Sequence, residues 1–442
     1  MLEYQFTDKK VSPYGGIRLV EELYIKSGLK EIIRGMDLGT PGSNRGYQAY
    51  ELVESFLVGV ILGAKRLSHA EILRRDEVLQ KIFDWNKGVP SQSTLSRFFR
   101  KFATNDNDQL FGEIQRKWFE QFSIDKVTID IDSTVISRYG GQEGVKKGYN
   151  PGKHGRGSHH PLMAFCSELK MVVNAWMRDG NSGASTDFGE FLSQMVKIIP
   201  EKKIGLLRAD AGFFSDDILV DLEDRGLNYI VSARFNPRLR NAVYEQTQCY
   251  PLDNGKDTDI DYCSFEYKAD KWETPRRMIV LRKDTNKTGK DTPGKLLFPE
   301  LEEFENYKYV GFVTNMELSS ALIWRTYNQR ADCENRIKEL KYEYGIEGFC
   351  MKQMGATESA FRWIMVAHNL MSLFRMKLLS ERRNAPTKAT VNFECIAIGS
   401  YLTKKSRNII LNLSVQDKRR QFIEGLFQKL SGIGPPFIIP NA

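Results

Sequence analysis

The sequence predicts an α/β fold in which a core of strands and helices follows a helical N-terminal region and is interrupted by a β-rich insertion. Three observations support this. Up to about residue 122, apolar residues recur at three- and four-residue spacing, as in amphipathic helices. From about residue 125, short apolar runs alternate with helical segments, as in an α/β sheet. Residues 236–310 hold strand-like runs between polar stretches and are too long for a plain loop.

The N-terminal region, residues 1–122, is predicted to be mainly helical. The segments with helical periodicity are 19–33, 47–63, 69–80 and 109–122. The longest apolar run, Phe56–Ala64, is interpreted as part of a buried helix because it is too short to span a membrane.

A further helix is predicted within residues 90–101, with Ser91 or Ser93 as its N-cap. The basic residues of its second half are Arg97, Arg100 and Lys101. This segment could be the recognition helix of a helix-turn-helix. It could equally be a core helix whose cations favour the C-terminal end of the helix dipole. The sequence leaves both interpretations open.

Residues 123–235 are predicted to form the first part of the α/β core. The predicted strands are 126–132, 161–166, 171–176, 204–209 and 229–233. Helices at 187–199 and 215–225 separate the last three strands. The order β-β-β-α-β-α-β, followed later by a helix, is that of the ribonuclease H-like fold, in which the first and fourth strands are neighbours.

The remaining chain is divided into three parts. Residues 236–310 are the predicted β-rich insertion, with strands near 262–267, 277–281 and 307–314. Residues 311–380 are predicted to complete the core, and their apolar helix at 357–379 is expected to pack on the sheet. Residues 381–442 are predicted to be a C-terminal helical region with a helix near 415–430 and a proline-containing end.

Composition restricts the functional class. The net charge is +8, from 64 basic and 56 acidic residues, which suits a polyanionic partner. The six cysteines form no Cys-x-x-Cys pair, so neither a zinc ribbon nor a dithiol redox motif is predicted. No membrane span and no signal peptide are recognised, so we expect no membrane partner and a cytoplasmic location.

One charged segment is especially informative. On a helical wheel with Arg330 at zero and 100° per residue, Glu334 falls at about 40°, Lys341 at about 20° and Tyr327 at about 60°. One helix face would therefore present a carboxylate for a metal and cations for phosphates. Glu339 falls about 180° away, so its substitution is expected to have little effect on either role.

Three carboxylates are expected to converge if this fold is correct. Asp130 and Asp132 are two apart on the first strand and point to one face. Asp210 follows the fourth strand, and Glu334 lies on the later helix. Carboxylate oxygens suit hard cations such as Mg²⁺, and two such ions can assist an in-line phosphoryl transfer.

The spacing Tyr327-x₂-Arg330-x₃-Glu334-x₆-Lys341 resembles the signature of DDE transposases of the insertion sequence 4 superfamily. The chain most resembles the insertion sequence 1380 branch over roughly residues 125–345. Branch-like segments are Asp130-Ile-Asp132-Ser-Thr, Gly148-Tyr-Asn-Pro151 leading into His160-Pro-Leu, Arg178-Asp-Gly-Asn181 and Arg208-Ala-Asp210.

The resemblance implies a catalytic, metal-binding triad of Asp132, Asp210 and Glu334, holding two Mg²⁺ or Mn²⁺ ions per site. Asp132 is favoured over Asp130 because the first aspartate of the superfamily usually precedes a small hydroxyl pair. Asp130 would then contact the metal-binding residues without binding the metal itself. The implied activity is metal-dependent cleavage at transposon ends, followed by attack of the freed 3′ hydroxyl on target DNA.

The resemblance also implies that residues 1–122 form a DNA-end-binding domain, and it implies further DNA-binding residues. Tyr327, Arg330 and Lys341 match positions that hold phosphates near the cleaved bond. In the glycine-rich loop 146–160, Lys153 and Arg156 are further candidates, although the loop could equally be a flexible solvated segment. An aromatic of the insertion can assist a hairpin step in many members. Trp272 is the tryptophan there, and it is more simply interpreted as a core residue.

The implied partners are DNA, as terminal inverted repeats and as target, and a second copy of the chain in a homodimer. A prokaryotic, nucleoid-associated protein is expected. Two alternatives remain: a non-transposing nuclease of the same fold, and a DNA-binding protein whose nuclease domain is inactive.

Overall fold

The structure, a computed structural model, describes residues 2–39, 46–246, 248–252, 260–284, 302–304, 307–382 and 385–438. Parts of the predicted insertion (247, 253–259, 285–301 and 305–306) and the predicted C-terminal end at 439–442 lie outside the described residues. Within the described residues the chain is a mixed α/β protein built around one large mixed sheet.

The N-terminal third is helical apart from two short strands. Its elements are β1 (Val11–Ser12), α1 (Ile17–Lys26), α2 (Leu29–Arg34), α3 (Ala49–Ile61), α4 (Ala70–Leu73), α5 (Glu77–Ile82), α6 (Gln92–Phe99), α7 (Thr104–Phe119) and β2 (Phe122–Ser123). The helix predicted at 19–33 is split because Gly28 adopts a positive φ of 69°, a conformation that glycine reaches without strain.

The central part alternates strands and helices. Its elements are β3 (Val127–Ser133), β4 (Ile136–Ser137), β5 (Lys146–Lys147), β6 (Gly157–His159), β7 (Leu162–Cys166), β8 (Met171–Trp176), α8 (Phe188–Ile198), β9 (Ile204–Ala209), α9 (Asp216–Asp224) and β10 (Tyr229–Ser232). The five predicted strands are present within one or two residues. β3 pairs with β9 in parallel, which confirms that the first and fourth predicted strands are neighbours.

The next segment continues the same sheet. Its elements are α10 (Pro237–Tyr244), β11 (Tyr250–Pro251), β12 (Ile260–Tyr267), β13 (Arg276–Asp284), β14 (Glu302–Phe304) and β15 (Tyr307–Thr314). The described sheet runs β11-β12-β13-β15-β10-β9-β3-β7-β8, with β14 paired to β15. The predicted boundary at 310/311 falls inside β15, which pairs directly with β10. The strands of residues 236–310 therefore extend the core sheet.

The last part of the chain packs against the N-terminal helices. Its elements are α11 (Ser320–Asn328), α12 (Ala331–Tyr342), α13 (Met354–Leu378), α14 (Lys388–Val391), β16 (Ser400–Lys405), β17 (Asn408–Leu413), α15 (Asp417–Ser431) and β18 (Phe437–Ile438). The predicted packing of α13 on the sheet is confirmed by its contacts with β8, and it also packs on α3, α6 and α7. Most of its residues are buried, as expected of a helix surrounded by other elements.

The β16–β17 hairpin was not predicted, and β16 pairs with β1 near the N-terminus. Within the described residues, none of the helices combines the length and the apolar character that crossing a membrane requires.

Candidate active site

Three carboxylates from separate elements meet around one guanidinium group. The Nη2 atom of Arg330 lies 3.2 Å from Oδ2 of Asp132 and 3.9 Å from Oδ2 of Asp210. The Nη1 atom of Arg330 lies 3.7 Å from Oε1 of Glu334. The structure thus brings together the three predicted triad residues, and it places a cation between them.

The sheet explains why the two aspartates are close. Asp132 is next to last in β3, and Asp210 directly follows β9, its parallel neighbour. The carboxyl ends of parallel strands lie at the same edge of the sheet. Asp210 is fixed there because its Oδ1 accepts a hydrogen bond of 2.8 Å from the backbone N–H of Gly212.

Arg330 connects the third carboxylate to this edge. It lies at the start of α12, one turn before Glu334, and its Nη2 donates to the backbone carbonyl of Ile131 in β3 at 3.3 Å. Burial alone would lower the pKa of Arg330, but the charges of Asp132, Tyr327 and Asp210 outweigh burial and hold its pKa well above the ordinary value. Arg330 therefore stays charged.

Asp132 is the most buried of the three carboxylates, with 8% of its surface exposed. Its pKa is raised to about 7, chiefly by burial; Asp210 and Glu334 contribute to this rise, while Arg330 and the N–H of Ser133 oppose it. One guanidinium does not fully compensate three carboxylates. The cluster therefore has a deficit of positive charge.

The structure separates Asp130 from this cluster. Its two oxygens bind Nε and Nη2 of Arg208 at 2.6 and 2.9 Å, and both side chains are almost fully buried. Arg208 stands opposite Asp130 on β9. Asp130 thus has its own cationic partner, and Asp132 is the aspartate that faces Arg330. Of the two candidates for the first ligand, this arrangement favours Asp132.

The predicted single helix face is interrupted. α11 ends at Asn328 and α12 begins at Ala331. Between them the chain makes a tight turn, in which the backbone N–H of Arg330 donates to the carbonyl of Tyr327 at 2.9 Å. Tyr327 packs its ring 4.6 Å from that of Phe312. Arg330 is only 5% exposed. Tyr327 thus packs half-buried in an apolar cluster and Arg330 pairs with the carboxylates, and their contacts with DNA stay a prediction.

Lys341 retains the predicted position beside the site. Its Nζ donates to the carbonyl of Val135 at 3.0 Å, just beyond β3. Burial lowers its pKa, while Glu347 and Asp132 oppose the shift. It lines a cleft of about 1210 Å³ that also contains Ser133 and Asp210.

The basic loop is folded against the same cleft. Its strands β5 and β6 form a small antiparallel sheet with β4, in the order β4-β6-β5. Lys153 lines the cleft, and Nζ of Lys153 and Cζ of Arg156 lie 4.8 and 4.6 Å from the ring centroid of Tyr139. Both cations are exposed. The loop is thus an ordered basic edge of the cleft.

Two glycines of the branch-like segments hold this loop in place. A Cβ atom at Gly148 would lie 2.1 Å from the carbonyl oxygen of Gly180, and one at Gly180 would lie 2.0 Å from that of Ser158. Only glycine permits so close an approach of backbones. Packing therefore requires glycine at both positions.

The other predicted residues lie away from the triad. Ser91 caps α6 by accepting from the N–H of Thr94, while Leu95, Phe98 and Phe99 face the core. The cations predicted for this segment, Arg97, Arg100 and Lys101, are exposed. Trp272 is buried against Tyr267, Phe214 and Arg276, which agrees with a core role.

Glu339 lies on the face of α12 opposite Arg330, as the helical wheel predicts, but it is buried. It is 8% exposed, and its Oε1 lies 2.6 Å from Nη1 of Arg375 and accepts from the N–H of Lys388 at 2.9 Å. Its Oε2 lies 3.2 Å from Nη1 of Arg336. The face of α12 opposite Arg330 packs on α13, so Glu339 is part of a buried ionic cluster and is unsuitable as a neutral control.

The donor chemistry of the triad fits a hard divalent cation, since all three side chains offer carboxylate oxygens. In the described ranges, no group of three or more His, Cys, Asp or Glu side chains is arranged to hold a metal ion as it stands. Arg330 is the cation that the three carboxylates share. Binding of an ion among them would require its guanidinium to withdraw.

Several cleft residues were not predicted as site residues: Tyr139, Tyr149, His160 and Arg234. Arg234 is exposed and directly follows Ala233, just after β10, which is parallel to β9. Its place at the carboxyl edge of the sheet was a usable signal. The tyrosines carried none, because their approach to the cleft depends on how the loop folds.

Comparison with known proteins gives a family for the chain. The family model described as "Transposase DDE domain group 1" matches residues 1–434. A comparison with curated proteins gave no match. Among solved structures, the chain is similar to one described as the cryo-EM structure of the piggyBac transposase synaptic complex with hairpin DNA. That similarity has 12% sequence identity, covers 93% of this chain and 77% of the other, and has a TM-score of 0.42.

Proposed function

The chain belongs to the family Transposase DDE domain group 1, and on that premise we propose that it cleaves DNA at transposon ends and joins the freed ends to target DNA. The finer assignment is to the insertion sequence 4 superfamily and its insertion sequence 1380 branch. A ribonuclease H-like core is supported by the strand order β8-β7-β3-β9-β10, in which β7 is antiparallel to β3 while β3, β9 and β10 are parallel.

One observation carries the proposal: Asp132, Asp210 and Glu334 converge within 4 Å of the guanidinium of Arg330. They come from β3, from the end of β9 and from α12, which are far apart in sequence. Fold stability alone does not call for three carboxylates around one cation, because such a cluster is under-compensated. An excess of carboxylates is expected where a site binds a further cation.

Two Mg²⁺ or Mn²⁺ ions held by Asp132, Asp210 and Glu334 would supply charge stabilisation to the attacking and leaving oxygens. In cleavage, the oxygen of water forms a bond to phosphorus and the bond to the 3′ oxygen breaks, which leaves a 3′ hydroxyl and a 5′ phosphate. In strand transfer, that 3′ hydroxyl attacks a target phosphate and releases a target 3′ hydroxyl. Each step uses one hydroxyl proton and returns one to the leaving oxygen.

The basic edge of the cleft is the proposed DNA-binding surface. Lys341, Lys153 and Arg234 line the cleft, and Arg156 lies beside it against Tyr139. Lysine and arginine bind phosphates as point charges or through paired hydrogen bonds. We assign Arg330 to charge compensation within the triad in the metal-free protein. Arg97 on α6, together with Arg100 and Lys101 directly after it, forms a second exposed basic group for the flanking duplex.

The proposal includes a homodimer on DNA, recognition of terminal inverted repeats, and a cytoplasmic, nucleoid-associated protein of a prokaryote. It also includes residues 1–122 as the DNA-end-binding part. The C-terminal region, predicted to be helical, contains the hairpin β16–β17 as well as α14 and α15.

The test uses Asp132→Asn, Asp210→Asn and Glu334→Gln, which remove one charge each at nearly constant shape. We expect each to lower Mg²⁺-dependent cleavage of duplexes carrying the genomic flanks of the gene by roughly 1000-fold, because several kcal/mol of charge stabilisation is lost at 1.36 kcal/mol per tenfold. DNA affinity in a gel-shift assay should persist. Asp217→Asn and Glu190→Gln are matched controls, since both residues are exposed on helices outside the cleft.

Cleavage that survives in all three variants, or in EDTA, would contradict the proposal. Cleavage without joining to target DNA would instead indicate a nuclease. DNA binding without cleavage by the wild-type protein would indicate an inactive enzyme.

A further inference from the structure

His160 lies at the edge of the cleft, next to the strand that carries Asp132. It immediately precedes Pro161 and β7, whose Leu162 stands opposite Ser133. The N–H of Thr134 donates to the carbonyl of Pro161 at 3.1 Å. His160 is 6% exposed, and it lines the cleft together with Ser133, Asp210 and Lys341.

The hydrogen bonds of His160 determine its tautomer. Its Nδ1 lies 2.6 Å from the carbonyl oxygen of Ser182. A carbonyl oxygen only accepts, so Nδ1 carries the hydrogen and the Nε2 of a neutral ring has a free lone pair. Burial lowers the pKa of His160; Arg178 and Lys341 act in the same direction, while the Ser182 carbonyl and Asp210 oppose them. The ring is therefore mainly neutral near pH 7.

The surrounding backbone holds the ring in this orientation. The N–H of His160 donates to the carbonyl of Arg178 at 3.0 Å, and Nε of Arg178 donates to the carbonyl of His160 at 3.1 Å. The same guanidinium donates to the carbonyls of Ala184 and Thr186, on the loop that contains Ser182. Ser182 and His160 are thus fixed by one buried arginine.

The adjacent histidine provides a useful contrast. His159 uses both ring nitrogens, since Nδ1 accepts from Nε of Arg138 at 3.0 Å and Nε2 lies 2.9 Å from the carbonyl of Glu143. Its ring therefore links the side chain of Arg138 to the backbone of Glu143. Within the described part of the chain, Nε2 of His160 makes no such bond, and it belongs to the one residue of the pair that lines the cleft.

Building on the proposed function, we propose that His160 is a further catalytic residue, whose Nε2 accepts a hydrogen bond from the attacking hydroxyl. That hydroxyl is water during cleavage and the 3′ hydroxyl during strand transfer. A phosphate oxygen does not fit Nε2, because both atoms would be acceptors. The bond orients the oxygen lone pair toward phosphorus. The new P–O bond forms, the bond to the leaving 3′ oxygen breaks, and that oxygen takes up a proton while the attacking group releases one to solvent.

The test compares His160→Asn with His160→Gln. The shorter amide of Asn can keep the donor to Ser182 but places no acceptor where Nε2 was, whereas Gln reaches further and can supply an oxygen there. In single-turnover assays with saturating flank DNA and Mg²⁺, we expect His160→Asn to cleave about 100-fold more slowly, with Gln regaining at least about tenfold. Affinity for DNA and the thermal midpoint should stay close to wild type in both.

Wild-type rates in His160→Asn would overturn this role. Equal losses of cleavage in both variants, accompanied by lower thermal midpoints or DNA affinity, would also overturn it, because His160 would then act only through structure. Wild-type protein and Glu334→Gln are assayed beside them. Absence of cleavage by wild type contradicts the proposed function itself, which separates that failure from a failure of the His160 role.

Discussion

Two charged clusters lie on opposite faces of α12 and differ in how completely their charges are compensated. In the Arg330 cluster, one guanidinium faces the carboxylates of Asp132, Asp210 and Glu334. In the Glu339 cluster, one carboxylate faces Arg375 and Arg336 and also accepts from a backbone N–H. The first has too few cations, and the second has enough.

The electrostatics follow this difference. Burial and the other carboxylates raise the pKa of Asp132 to about 7. Burial would also raise the pKa of Glu339, but His368 and Arg375 outweigh it, so that its pKa falls below the ordinary value. Asp210 and Glu334 keep 28% and 31% of their side chains exposed, whereas Glu339 is buried. An under-compensated, partly open cluster can accept a cation, while a compensated, closed one stabilises the fold.

The largest expected effect on stability is at the Glu339 cluster. Glu339→Ala leaves Arg375 buried without its anion and leaves Arg336 with Asp332 alone, so we expect the free energy of unfolding to fall by about 3–5 kcal/mol. Chemical denaturation measures it. Glu334→Gln is the comparison on the same helix, and it should change the free energy of unfolding by less than about 1 kcal/mol. Equal losses in both variants would remove the distinction between the clusters.

A smaller effect is expected at Arg330, and it should depend on metal. Arg330→Ala leaves three carboxylates without their shared cation, which should cost about 1–3 kcal/mol of stability in EDTA, because two of them are partly solvated. Millimolar Mn²⁺ should restore much of the thermal midpoint by replacing the lost charge. Glu339→Ala should show no such recovery. Failure of Mn²⁺ to act selectively on Arg330→Ala would contradict the role of Arg330 as the internal cation.

The smallest effect concerns the edge of the cleft. Lys341→Ala should lower DNA affinity and make its log–log salt dependence shallower by about one unit, because one phosphate contact is lost. Lys338 is an exposed lysine on the same helix, away from the cleft, so Lys338→Ala is the matched control. Fluorescence anisotropy over a salt series measures both slopes. Identical slopes for the two variants would place Lys341 outside the DNA contact.

The strands of the core could be predicted because each is a short apolar run with a clear end. Val127–Ser133 and Ile204–Ala209 are such runs, and the aspartates near their ends follow from the sequence. The hairpin β16–β17 was missed because its turn lacks glycine or asparagine. Ser406 takes the positive φ of 55° there, which gives no recognisable turn signal.

The faces of α12 could be predicted only in part. A helical wheel correctly grouped Arg330, Glu334 and Lys341 near β3, since residues at such spacing share a face. It could not show that the chain turns tightly at Gln329 and Arg330, which sends Tyr327 to Phe312. Nor could it show that α13 covers the opposite face, because the partners of Glu339 come from distant positions. Contacts between side chains of different elements depend on the tertiary fold, which a helical wheel does not include.

The most direct test of the central claim, that the Arg330 cluster is the cation-binding centre, is Mn²⁺ binding followed by electron paramagnetic resonance without DNA. The proteins compared are wild type, Glu334→Gln, Asp210→Asn and the exposed control Glu190→Gln. We expect the first two variants to weaken Mn²⁺ binding by at least about tenfold, since each removes one charged ligand, while Glu190→Gln binds as wild type does. Equal Mn²⁺ affinity in all four proteins would contradict the claim.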